Sequence, residues 1–186
     1  MKRFTIALAL AAALPFAATA ADGINYNYVQ GGYVQSRVDG HKAADGYGVA
    51  GSVAVHPNVH VFGSYANQDI KNTNVDFDQW TIGAGYNKTI GSRTDFVANA
   101  AYEKVDAGHG INADGYSVEG GVRSMLASNI EGYALLGYAD GDDIDGDAYG
   151  RFGATAHFTP NWGVDANVRL IKGGDTQWFI GPRFSW

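Results

Sequence analysis

The 186-residue sequence predicts an antiparallel transmembrane β-barrel of ten strands. Three observations carry that prediction. An apolar leader heads the chain, glycine-rich runs alternate in polarity with a period of two, and aromatic residues recur at the length of a hairpin. Tyr47, Trp80, Tyr116, Tyr149 and Trp178 each open an alternating run, at spacings of 33, 36, 33 and 29 residues. Tyr33, Tyr65, Tyr102 and Tyr138 close runs midway between them, at spacings of 32, 37 and 36. A repeat of this length accommodates two membrane-crossing strands with a turn and a loop.

Composition narrows the class. Lys2 and Arg3 precede an apolar stretch from Phe4 to Phe16 and small residues at Ala18, Thr19 and Ala20, the pattern of a secretory signal over residues 1–20. The stretch is too short for a retained helix, and Pro15 breaks it. Residues 21–186 then form one barrel domain with a formal net charge of −8, since the leader takes two of the 13 basic residues and none of the 19 acidic ones. An acidic exported chain is a poor nucleic-acid binder. With no cysteine, no disulfide can staple it. Mean hydropathy is only −0.17, as expected where alternate residues alone meet lipid.

The strands follow in order. A first one spans roughly Tyr26 to Ser36, but Tyr26 and Tyr28 are out of phase with Tyr33, leaving its register open. Tyr47, Val49, Gly51, Val53 and Val55 then face outward, and His56, Pro57 and Asn58 make a turn. Val59, Val61, Gly63 and Tyr65 return; Trp80, Ile82, Ala84 and Tyr86 follow, then Phe96, Ala98, Ala100 and Tyr102 beyond a turn at Gly91 and Ser92. Tyr116, Val118, Gly120, Val122 and Leu126 oppose an inward set of Ser117, Glu119, Gly121, Arg123 and Met125. A less decided strand carries Ala134, Leu136 and Tyr138. Phe152, Ala154, Ala156 and Phe158 lead to a Thr159-Pro160-Asn161 turn, then Val164, Ala166, Val168 and Leu170, and finally Trp178, Ile180, Pro182, Phe184 and Trp186. Eight strands with longer loops are the alternative count.

Short turns alternate with longer polar loops, which puts the turns and both termini in the periplasm. Tyr33, Tyr47, Tyr65, Trp80, Tyr102, Tyr116, Tyr138 and Trp178 then form an outer aromatic girdle, with Phe158, Trp162, Phe184 and Trp186 as the inner one. Two positions strain the scheme. The repeat turns Tyr149 toward lipid, but that register would place Arg151 there too, at a cost of about 2–4 kcal/mol at mid-depth. A bulge near Gly150 or an inward Tyr149 resolves the conflict. Pro182 forfeits a ladder bond in a strand that must pair on both sides.

The inward phases gather Glu103, Glu119, Arg123, Arg151, Asp165, Arg169 and Arg183 in the lumen. In a narrow barrel such charges meet and pair. They read as a polar plug in preference to a solute-selecting constriction. Asp140, Asp142, Asp143, Asp145 and Asp147 crowd one loop and are calcium candidates, but the twelve-residue EF-hand pattern is incomplete, with Arg151 where its closing glutamate belongs. A solvated acidic loop is the favoured reading. His41, His56, His60, His109 and His157 are scattered without a metal-ligand spacing. Ser117, Glu119 and His109 near the rim are the nearest approach to a catalytic set, and no nucleophile-elbow, zincin or phosphate-loop motif occurs. No enzyme, cofactor or resident metal is expected.

Three strings are distinctive: Asp45-Gly46-Tyr47-Gly48-Val49 running on to Val55-His56-Pro57-Asn58, Asp114-Gly115-Tyr116-Ser117-Val118-Glu119, and Asp175-Thr176-Gln177-Trp178-Phe179-Ile180-Gly181-Pro182-Arg183. They resemble a xanthomonad-type family of small outer-membrane barrels from plant-associated and opportunistic gamma-proteobacteria. That family was once proposed as a secreted elicitor or quorum signal and is described as regulated by a diffusible signal factor. More loosely the chain is similar to barrels of the opacity and outer-membrane protein X type. The resemblance implies an outer-membrane location and no catalytic residues. Trp178, Ile180, Phe184 and Trp186 resemble the carboxyl-terminal signal read by the outer-membrane assembly machinery, with tryptophan in place of the commoner phenylalanine. The expected partners are outer-membrane lipid, that machinery and an unidentified host or cell-surface partner, with the barrel a monomer. Its expected role is structural and surface-interactive, in envelope integrity, adhesion, biofilm or virulence; a narrow porin and an exported signal are the alternatives.

Overall fold

The computed structural model describes residues 21–37, 43–70, 76–107, 112–141 and 144–186. Ten strands run in chain order: β1 Tyr28–Arg37, β2 Ala44–His56, β3 Val59–Ile70, β4 Asp76–Gly91, β5 Thr94–Asp106, β6 Asn112–Ala127, β7 Ile130–Gly141, β8 Ile144–His157, β9 Trp162–Ile171 and β10 Thr176–Ser185. Each pairs antiparallel with its sequence neighbours, and β1 pairs with β10 to close the barrel. No helix among the described residues is long and apolar enough to cross a membrane, and the strands do not need one.

Hairpins dominate because the turns are tight. Pro57–Asn58, Ser92–Arg93 and Ser128–Asn129 reverse the chain in two residues. The register slips just before each, between Ala54 and His56, Thr89 and Gly91, and Met125 and Ala127. These bulges add local twist, which helps a sheet curl closed.

Alternation sorts the faces as expected. Tyr47, Val49 and Val55 are exposed on β2, Tyr116, Val118, Val122 and Leu126 on β6, and Leu136 and Tyr138 on β7. All eight expected girdle aromatics lie on the outer-facing phase. Trp80 and Tyr102, and Tyr102 and Tyr116, stand with ring centroids 5.4 Å apart, so part of the ring is continuous across three strands. Trp162 and Phe184 meet at 4.9 Å toward the other rim.

Three points that the sequence left open or approximate are decided. Tyr149 is 4% exposed and points inward with Arg151, so the aromatic repeat fails on β8. The β7–β8 register runs unbroken through Gly150, and the only slip lies between Ala139 and Gly141. The charge therefore sets the register of β8, because reversing it would turn Arg151 outward. The first strand begins at Tyr28, not Tyr26. Tyr28 sits under the Arg183 guanidinium, 3.6 Å from its ring, and Tyr26 precedes the strand inside the barrel.

Pro182 leaves its mark on the closing seam. The β1–β10 ladder pairs Gln30 with Arg183 and resumes only at Tyr33 with Ile180. The backbones run so close in that gap that a Cβ on Gly32 would collide with the Ile180 carbonyl, and one on Gly181 with the Gly31 carbonyl. Glycine on both sides makes the approach possible.

Candidate functional site in the lumen

The bottom of the lumen, at the short-turn end, is filled by the chain's own residues 21–27. Gly23, with φ at +87°, lets the segment turn inward, and the Ile24 amide donates back to the Ala21 carbonyl at 3.0 Å. Ile24 and Tyr26 pack with Ala54, Val97, Met125 and Leu135 into one buried apolar cluster. Polar bonds pin the segment to strands all round the barrel. Tyr26 donates to Asp95 on β5 at 3.0 Å, and the Ala54 amide on β2 donates to Asn27 at 2.9 Å. The Asn25 carbonyl accepts from Arg123 on β6 and Arg183 on β10, both at 3.1 Å.

Above this segment lies a belt of charge. Arg123 pairs with Glu131 on β7, whose second oxygen lies 3.7 Å from His157 Nε2. Asp165 accepts from Thr155 at 2.9 Å and Asn167 at 2.8 Å. Higher still, Glu119 takes Arg151 at 3.2 Å, the Tyr149 hydroxyl at 3.0 Å and Asn99 at 2.9 Å. Glu103 pairs with Arg169 at 3.0 Å, and that guanidinium lies 3.9 Å over the Tyr149 ring. A cavity of about 230 Å³ remains among these groups, lined from Tyr26 and Arg183 to Gln79 and Gln177. Beyond the aromatic ring, Tyr65 and Asn67 donate to Asp78 at 2.6 and 2.9 Å, holding its carboxyl below the usual carboxylate range.

All seven expected lumen charges point inward. Arg151 joins Glu119 and Arg169 joins Glu103 as direct pairs, whereas Arg183 reaches Thr155 and Asn25 and, among the described residues, no carboxylate directly. Asp95, Glu131 and the segment 21–27 complete the lumen filling, and the sequence pattern did not mark them. Asp95 and Glu131 each stand two residues past a tight turn, where alternation has barely begun. His60 stacks on Tyr26 at 4.7 Å as a lumen wall residue. No group of three metal-ligating side chains occurs among the described residues. Asp140 accepts from the Gly141 amide at 3.0 Å, while Asp142 and Asp143, the Asp145 side chain, His41, His109 and the leader at 1–20 lie outside the described residues.

No family model matches the chain, and no curated protein does. Among solved structures, the translocator domain of the autotransporter NalP from Neisseria meningitidis is 10% identical over 89% of this chain and 90% of its own, with a TM-score of 0.51. This chain folds as a transmembrane β-barrel. The KdgM porin is 12% identical over 85% of this chain and 99% of its own, with a TM-score of 0.49. The attachment invasion locus protein Ail of Yersinia pestis is 15% identical over 88% of this chain and 100% of its own, with a TM-score of 0.39. At 10% identity the likeness to the NalP domain speaks for the fold alone.

Proposed function

We propose that this chain is an outer-membrane barrel that does not conduct. Its lumen is shut by residues 21–27 and the charge belt above them, and it acts through its outward surface in envelope integrity or adhesion. The observation that carries this reading is the grip on Asn25: two arginines from opposite parts of the barrel wall share one carbonyl of the inserted segment. Each arginine is itself nearly buried, so moving the segment would strip partners from both. A leader over 1–20, the aromatic ring and the terminal Trp178, Ile180, Phe184 and Trp186 support export, insertion in lipid and recognition by the assembly machinery. The xanthomonad-type resemblance belongs to the same proposal.

The cavity above the segment favours a second reading, a narrow pore for small solutes. Planar-bilayer recording of the purified protein separates the two. The plugged barrel gives no steady single-channel current at moderate voltage. Steady currents whose ion selectivity changed on replacing Arg123 or Glu119 would overturn it and establish the pore.

A further inference from the structure

Among the described residues two lumen carboxylates make no direct ion pair: Asp165, which takes hydroxyl and amide donors, and Asp95, which alone of the two meets a main-chain nitrogen. Asp95 is fully buried. The Tyr26 hydroxyl meets its Oδ2 at 3.0 Å, and the Thr89 hydroxyl and the Ala21 nitrogen meet its Oδ1 at 2.9 and 3.0 Å. Arg123 is its cross-strand neighbour, yet that guanidinium turns to Glu131 and the Asn25 carbonyl. A buried carboxylate with neutral partners alone leaves its desolvation uncompensated by any counter-charge.

The nitrogen on Asp95 is the one that a peptidase acting after Ala18-Thr19-Ala20 would release. Hydrolysis of the Ala20–Ala21 bond adds water across it: the hydroxyl goes to the Ala20 carbonyl carbon, and the Ala21 nitrogen leaves as an amine that takes up a proton. A single amide N–H thereby becomes an ammonium with three donors and a full charge. Ala21 is 4% exposed, but the chain reaches the surface immediately beside it. Asp22 and Gly23 are exposed, and the Asp22 amide donates to the Ser92 carbonyl in the β4–β5 turn at 3.2 Å.

We propose that Ala21 is the mature amino terminus and that its α-ammonium forms a buried ion pair with Asp95, so that leader removal creates the cation that locks the segment into the lumen. The pair makes Ala20–Ala21 the processing site and Asp95 its sensor in the folded barrel. It stands whether or not the lumen conducts.

Protein purified from the membrane fraction is treated at neutral pH with an amine-acylating reagent, folded and denatured, and the peptide ending at Arg37 is followed by mass spectrometry. The expected peptide starts at Ala21, and its α-amine labels at least about tenfold more slowly in the folded protein, since each decade of added proton affinity removes a decade of free amine. Asp95→Asn abolishes the protection and Asp95→Glu keeps most of it. A different first residue, or equal labelling of the folded and denatured wild type, overturns the proposal; that comparison decides even if Asp95→Asn fails to fold.

Discussion

Replacing Glu131 by Gln tests whether the charge belt holds the barrel together. Glu131 and Arg123 side chains are 1% and 9% exposed, so the substitution leaves a guanidinium buried without its counter-charge. Breaking a buried pair in this way costs roughly 3–5 kcal/mol. Arg123 would keep the Asn25 carbonyl at 3.1 Å and the Tyr26 ring at 4.7 Å, which places the expected loss near the lower end, about 3 kcal/mol. That corresponds to a fall of about 150-fold in the folded-to-unfolded ratio. The measurement is urea unfolding of the lipid-reconstituted protein, with the folded fraction read from the mobility of unheated samples in detergent gels. The double variant Arg123→Met, Glu131→Leu should cost clearly less than the two single changes added, because it leaves no orphaned charge. A Glu131→Gln loss within about 0.5 kcal/mol, or strict additivity in the double variant, would refute the idea that the pair is a structural bond.

Two further outcomes test the outer face and the seam. Leu136 is 71% exposed on the outward phase of β7; Leu136→Arg should lower stability in lipid vesicles by about 2 kcal/mol, the lower part of the range for arginine at mid-depth, and an unchanged unfolding midpoint would argue that this face does not meet lipid. Gly181→Val places branched carbon against the Gly31 carbonyl across the closing seam and should abolish the compact fast-migrating band, whereas Gly51→Val, whose Cβ meets the Tyr28 carbonyl oxygen only at 3.4 Å, should retain it.

Period-two alternation made β2 and β6 readable because their inward residues are small or polar and their outward ones aromatic or branched. On β7 Leu135 faces the lumen and Leu136 the outside, so the two faces carry the same chemistry and the signal fades. Tyr149 shows two signals in conflict: the aromatic repeat spoke for one face and Arg151 for the other. Burying a charge in lipid outweighs placing one tyrosine at an interface. The inserted segment was illegible for a different reason. Its partners, Ala54, Asp95, Arg123 and Arg183, lie far along the chain, and no local pattern distinguishes a strand's lead-in from a plug. Alternation alone puts the charged residues on the inward phase, but which of them pair depends on strand stagger, which is fixed only when the ring closes.

Nine of the ten strand pairings join neighbours in sequence, and the tenth joins β1 to β10. The nine can zip one hairpin after another at small entropic cost, while the last must bring the two ends of the sheet together. That last joint is also the one where the rungs are missing, opposite Pro182. The barrel's final stitch is thus broken in its middle. Amide hydrogen exchange should be fastest along Gly31 and Gly32 among lumen-depth positions, marking where the cylinder parts first when it is pulled open.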